Sequence, residues 1–384
     1  MASAAISIDL ILPAFGRIRT DLGLAPGSAA TAGLVTAFFL GMAVGPIPFG
    51  LLADRFGRRW ILLATCVLFV GGAVGAALVP TLHLMLWARF VWGLGAAGLR
   101  VIAVATIRDR FVADDMAREM AFAMAVFVCV PVVAPALGAG LIKVMPWRGT
   151  FLICAGFGVV IALWSLRLPE TLPVERRQPL QVRQVGIATM AMVRSRPALT
   201  YTLCSVVIFG AFSSYLATSE RIIGDVFHRA SWFPYAFGGT AILMGISSMV
   251  VGRNVQRIGL DRLIRWAMVA YTAAAVAMYL LSLASGGTPS FWPFILLLSL
   301  VLIGYNVLLS NLNAAAMVPV GHVAGTAAAI YATVTTAGAA IIGQRFDKAF
   351  DDTVNPFSLA FALAGIVSLL MVLALRRWQH RELR

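Results

Sequence analysis

Gly50-Leu51-Leu52-Ala53-Asp54-Arg55-Phe56-Gly57-Arg58-Arg59 decides how this chain is read. It is a dense knot of charge and glycine between two long apolar runs. Residues 29–49 before it and 60–79 after it are nearly uncharged. In a lipid-dissolved chain, such a knot is a tight loop at the membrane face. The glycines let two helix ends approach and turn. The three arginines pin the loop to the cytoplasmic side. Asp54, near a helix end, can hold a neighbouring helix by charge-assisted hydrogen bonds.

Composition agrees. The chain is 60% hydrophobic and 12% charged, with mean hydropathy +0.90, where soluble chains run to about 45–50% apolar and about 25% charged. A bilayer is the solvent that accommodates this. The net charge of +14 would suggest nucleic acid in a soluble protein. Here the arginines lie in short loops, where they set orientation, and nucleic acid is not expected as a partner. Cys66, Cys129, Cys154 and Cys204 all sit in apolar runs without paired ligand spacing, and read as buried free thiols. Neither Lys143 nor Lys348 completes a phosphate-binding Gly-x-x-x-x-Gly-Lys loop. No metal, cofactor or ATPase is expected, and uphill movement would need an ion gradient.

A spanning helix needs about 20 predominantly apolar residues. Twelve segments qualify: 1–18, 29–52, 60–79, 82–107, 119–145, 149–168, 198–220, 233–254, 263–284, 291–313, 323–344 and 355–376. The expectation is an all-α membrane protein of twelve transmembrane helices in two pseudo-symmetric six-helix halves. Residues 1–168 form the first half, 169–197 a cytoplasmic linker with a short helix near Val182–Arg194, and 198–384 the second half. With both termini cytoplasmic, twenty Lys and Arg fall in inside loops and eight, Arg221 among them, in outside loops. The halves are related, because Gly50, Asp54, Arg55 and Gly57 recur at one constant offset as Gly252, Gln256, Arg257 and Gly259. Repeat-built transporters place their site near the midplane between repeats. The first segment is short and has no basic tail. Either its helix is short, or the true start lies upstream of Met1.

The 50–59 loop resembles the signature between helices 2 and 3 of the major facilitator superfamily, Gly-x-x-x-Asp-Arg-x-Gly-Arg-Arg, at every fixed position. That resemblance implies a conformational latch built of Gly50, Asp54, Arg55, Gly57, Arg58 and Arg59. Arg89, in Arg89-x-x-x-Gly93-x-Gly95-x-Ala97, resembles the family's buried antiporter arginine. An arginine at this depth is a functional hypothesis, the alternative being a side chain snorkelling to the outer interface. The small residues after it allow close helix contact. Arg100, eleven residues on, falls on the same helix face. It either tunes a positive cavity toward certain substrates or is structural.

Asp9-Leu10-Ile11-Leu12-Pro13-Ala14 is similar to the Asp-x-x-Leu-Pro-Ala of first helices in bicyclomycin/chloramphenicol-resistance (Bcr/CflA) drug exporters. Asp9 reads as the only acid clearly inside a helix. Poised between burial and a nearby arginine, it would carry a proton or hold a cationic substrate, unless it is a packing acid. Pro131, Pro135, Gly138 and Gly140 form the Ala-Pro-x-x-Gly variant of the antiporter signature, which implies export. Trp147-Arg148 and Leu168-Pro169-Glu170-Thr171 also match the Bcr/CflA pattern. In the second half Tyr215, Tyr235, Tyr305, Asn306 and Asn311 are candidate cavity residues, with helix–helix hydrogen bonding as the alternative role for each. Asn311 and Asn313 cannot face one point. Glu220 reads as solvated at a helix end. Trp60, Trp87, Trp147, Trp232, Trp292 and Trp378 read as an aromatic belt.

The resemblance implies a monomeric drug:proton antiporter of a bacterial-type cytoplasmic (inner) membrane. Its partners would be a small, partly apolar substrate, protons and the lipid bilayer. A metabolite transporter of the same fold is the alternative. A non-transporting receptor would be expected to have lost these motifs. A membrane enzyme would need a nucleophile–base pair or metal cluster that the sequence lacks.

Overall fold

The structure, a computed structural model, describes residues 2–25 and 28–382. Met1 and Arg384, counted above in the first segment and the C-terminal tail, lie outside the described residues, as does the side chain of Gln256. The described chain is nearly all helical: α1 (Ala2–Asp9), α2 (Phe15–Asp21), α3 (Gly33–Val44), α4 (Pro46–Phe56), α5 (Arg58–Leu78), α6 (Leu82–Arg110), α7 (Ala113–Val144) and α8 (Trp147–Ser165) come first. Then follow α9 (Val182–Arg194), α10 (Arg196–Arg221), α11 (Phe233–Ile258), α12 (Leu260–Ala284), α13 (Phe291–Met317), α14 (Ala324–Lys348) and α15 (Asn355–Glu382). Among the described residues, ten helical runs are long and apolar enough to cross a membrane, and the run Phe291–Lys348 joins two helices, α13 and α14.

The first segment is broken. α1 ends at Asp9, a single 3-10 turn spans Leu12–Ala14, and α2 starts at Phe15. Pro13 is the cause. It has no N–H to give the carbonyl of Asp9 four residues back, and its ring crowds that carbonyl. The expected continuous helix over 1–18 is thus corrected to two short helices with Asp9 at the break. α6, α14 and α15 run on into the flanking charges, because Arg, Lys and Glu propagate a helix as well as Leu does, whereas α8 stops at Ser165, before Arg167.

The chain divides into two compact units, Met1–Gln184 and Val185–Arg384. In the first, α1 packs on α7, α3 on α6, α5 on α6 and α5 on α8. In the second, α10 packs on α14, α11 on α13, α12 on α13 and α12 on α15. Helix for helix, these are the same pairings in the same order, as a duplication requires. The loop repeat is also visible in the backbone: Gly57 (φ 96°, ψ 161°) and Gly259 (φ 84°, ψ 140°) each turn the chain between two helices.

Lipid offers no hydrophobic drive between helices, so close backbone approach carries the packing. A Cβ on Gly41 would fall 2.0 Å from the carbonyl oxygen of Phe90, and one on Gly93 would fall 2.0 Å from that of Phe38. This reciprocal fit locks α3 to α6. Trp92 is fully buried there and makes edge-to-face contacts with Phe38, Phe69 and Phe151, each worth about 1 kcal/mol. Large apolar side chains such as Val67, Trp164 and Leu370 stay exposed, as a bilayer solvent permits.

Three expectations from sequence are corrected. Cys129 is exposed, whereas the other three thiols are buried. Trp147 is 1% exposed, and its Nε1–H donates to Asp21 Oδ2 at 2.6 Å, so it is a core residue rather than part of a belt. Arg221 is 1% exposed within the last turn of α10, not in a loop.

Candidate functional site

The 50–59 loop closes around one arginine. Arg58 opens α5, where its Nη1 donates to Asp54 Oδ1 at 2.6 Å and its Nε to Asp109 Oδ2 at 2.9 Å. Asp54 is on α4 and Asp109 is in the last turn of α6, so Arg58 ties three helices. Arg59 Nη2 donates to the carbonyl of Leu166 at 2.9 Å, after the end of α8. Arg55 lies over the ring of Phe56. A Cβ on Gly50 would meet nothing within 4 Å, so that glycine is not required by packing in this state.

The residue that completes the loop is Glu170, which the sequence reading carried only as a family match. Its carboxylate accepts backbone N–H bonds from Arg58 (2.8 Å), Arg59 (3.2 Å), Thr171 (3.0 Å) and Leu172 (3.0 Å). Gly57 offers no side-chain cap to α5. Glu170 supplies it from a distant part of the chain, with its negative charge at the positive end of the helix. Burial acts to raise its carboxyl, but the N–H donors outweigh this and hold it below its ordinary value of 4.5. A carboxyl lowered by folding adds stability above its ordinary value, and that stability is lost as pH falls through the folded value. Glu170→Gln should therefore lower thermal stability at pH 7 by about 1 kcal/mol, the charge-assisted bonds being discounted for solvent screening of a partly exposed carboxylate. The gap from wild type should close as pH falls below about 4.5. Melting curves of the purified protein across pH check this, and a gap independent of pH would refute it.

Arg89 is fully buried in α6. Its Nε donates to the carbonyl of Leu34 on α3 at 3.2 Å, and its Nη1 to that of Ser7 on α1 at 2.9 Å. The guanidinium also lies 4.5 Å from the Phe38 ring centroid and 4.7 Å from that of Trp92. Its Nη2 has no partner among the described residues. It is not snorkelling to an interface. Arg100, expected on the same face, is exposed. The helix angle is shared, but the cover over Arg89 does not extend that far.

Asp9 is 4% exposed at the end of α1. The expected pairing with an arginine is corrected: no ion pair joins Asp9 to Arg89 among the described residues, and Arg89 takes the backbone of Ser7 instead. Beside Asp9, α1 packs on α7. Pro131 and Pro135 lie within the unbroken α7. A Cβ on Gly138 would fall 2.1 Å from the carbonyl oxygen of Leu10, so α7 touches the break after Asp9 directly. Gly140 faces open space.

The second unit separates its candidates. Tyr215 is buried, stacks on Phe237 at 5.3 Å and shares a hydrogen bond with Thr240 Oγ1. Tyr305 stacks on Phe212 at 4.0 Å. Asn306 Nδ2 reaches Met244 O, Ser247 Oγ and Ser248 Oγ on α11, the helix–helix role. Asn311 Nδ2 bonds back to Val307 O, whereas Asn313 is exposed. Tyr235 is exposed beside Trp232, and Glu220 is half-buried. One acid was missed. Asp347, 2% exposed, accepts from Ser214 Oγ at 2.7 Å, so Asp9 is not the sole acid buried in a helix. The cue was hidden because Gln344 and Arg345 read as the end of the span, while α14 runs on to Lys348.

Two units of matched helix pairings, a clamped basic loop and a buried arginine that ties three helices define a multi-pass membrane transporter rather than an enzyme. The chain matches the Major Facilitator Superfamily over residues 1–343 and belongs to that family. It is 26% identical over 365 residues to the bicyclomycin resistance protein homolog of Haemophilus influenzae, covering 94% of this chain and 90% of that one. The chloramphenicol resistance protein of Pseudomonas aeruginosa is 28% identical over 334 residues, 85% of this chain and 77% of that one. Among solved structures, the D-xylose-proton symporter superposes with a TM-score of 0.77 at 14% identity, over 97% and 94% of the two chains. The nucleoside transporter NupG superposes at 0.71 and 14%, over 97% and 95% of the two chains. At that identity these two speak to the fold alone.

Proposed function

We propose that this chain exports small, drug-like molecules across a bacterial cytoplasmic membrane in exchange for protons, by alternating access. The observation that carries the reading is Asp9: a carboxyl buried at a helix break, without an ion-pair partner among the described residues. Such a group can take up and release a proton at modest structural cost, and its protonation changes the charge inside the bundle. Support for drugs as the cargo comes from relatives named for resistance, which align over most of the chain. Protonation of Asp9 biases one conformation and substrate the other, each only by its differential affinity. Arg89 holds α1 in place through Ser7, and the Arg58–Glu170 cluster fixes the loop that one of these conformations must release. The proton gradient supplies the energy, the protein acts as a monomer, and both termini face the cytoplasm.

The test uses inside-out vesicles with an acid interior and a pH-sensitive dye. Adding antibiotics and dyes should release protons from wild type, and Asp9→Asn should reduce that release at least tenfold. Undiminished release in Asp9→Asn would remove Asp9 from the coupling. No release by wild type with any compound would overturn drug:proton exchange.

A further inference from the structure

Each unit buries one acid inside a span, among the described residues: Asp9 in the first and Asp347 in the second. They lie on opposite members of one repeated helix pair, Asp9 on its first helix and Asp347 on its second. Asp9 is on α1, which packs on α7. Asp347 is on α14, which packs on α10, the corresponding pair. α10 and α14 run parallel and in register. A Cβ on Gly338 would meet Val206, one on Gly343 would meet Ser213 Oγ at 2.8 Å, and a Cβ on Gly210 would meet Ile342. Asp347 is 2% exposed at the end of this tight interface. One hydroxyl, that of Ser214, donates to its carboxyl, which is little support for a full charge in so dry a place.

A cation stands two turns beyond Ser214. Arg221 is buried, covers the Phe350 ring at 4.0 Å and has Nη2 3.9 Å from Asp352 Oδ1. It also lies within electrostatic reach of Asp347. Asp352 is exposed, with 78% of its side chain accessible. Arg221 is thus set between a deep carboxyl and a surface one. The other charged groups at this end are Glu220 on α10, Asp225 and Arg229 past it, His228, Arg345 and Lys348 on α14, and Asp351. α13 carries no charged residue, and α15 none before Arg376.

We propose that Asp347 is a second proton-binding carboxyl, and that Arg221 exchanges between Asp347 when it is charged and Asp352 when it is protonated. The inference rests on the proton-driven reading for its use in transport, but not for the binding of the proton. Surface protons reach the site by way of Asp352, since release of Arg221 from Asp347 and its capture by Asp352 are one movement.

Infrared pH-difference spectra of the purified full chain in nanodiscs test this directly, through the carbonyl band of protonated carboxyls. Wild type should show a band component that disappears as pH rises. That component should be lost in Asp347→Asn and kept in Asp9→Asn. Two mild variants guard against a misfolded Asp347→Asn. Asp352→Asn leaves Arg221 to Asp347 and should move the midpoint down by about one pH unit; Ser214→Ala removes a donor to the charged form and should move it up. An unchanged spectrum in Asp347→Asn, or no midpoint shift in either mild variant, would overturn the proposal. The vesicle assay separates the two readings. Absence of drug-driven proton release with the Asp347 component present would remove the antiport reading and leave this one standing.

Discussion

Arg89→Lys should reduce transport at least ~100-fold although it keeps the charge. The guanidinium donates to two carbonyls on different helices and lies against two aromatic faces. An ammonium is a compact donor that cannot span those four contacts from one position. A buried charge left with incomplete partners costs about 3–5 kcal/mol, and each ~1.4 kcal/mol is a factor of ten. Arg89→Met separates anchoring from folding. It removes the charge together with its desolvation cost, so the protein should accumulate and melt close to wild type. Transport should still be lost, because α1 is no longer held through Ser7. Efflux from intact cells and melting of the purified variants check both. Wild-type transport by Arg89→Lys would show that position 89 needs only a positive charge.

The second large effect is expected at Gly57. Its φ of 96° with ψ of 161° is a conformation that side-chain-bearing residues rarely hold, at a cost of about 1–3 kcal/mol. A Cβ there would also fall 2.4 Å from Glu170 Oε2, displacing the carboxylate from its four donors. Gly259 has almost the same backbone, yet a Cβ there would meet nothing within 4 Å. Gly57→Ala should therefore destabilise the protein by about 1 kcal/mol more than Gly259→Ala, the difference being the lost carboxylate bonds, discounted for screening. Equal melting points for the two variants would mean that backbone strain is the whole effect.

These two residues also mark how far the sequence could be read. The membrane spans, the loop motif and Arg89 were legible, since long apolar runs and a charge within them have few solutions in lipid. The break at Asp9 was legible in principle from Pro13, which removes a donor whatever surrounds it. Glu170 was legible only as a motif letter. Its role depends on the end of α8 returning to the start of α5, a meeting that no local pattern encodes. Asp347 and Arg221 were hidden by a habit that usually serves well, ending a span at the first charges. In this unit the helices run on and fold those charges inward. Arg100 erred the other way, because helical angle gives a shared face but not what covers it.

The position of Glu170 in the chain has a bearing on assembly. It lies 112 residues beyond Arg58, after every helix of the first unit. At the usual ~5–20 residues per second of synthesis, the ribosome delivers that carboxylate roughly ten seconds after Gly57 has left it. Until then α5 has no cap, and at the loop itself only the bonds from Arg58 to Asp54 and Asp109 add to the packing of α5 on α6. The first unit is thus fastened last at its signature loop, by a residue that arrives just as the second unit begins to be made.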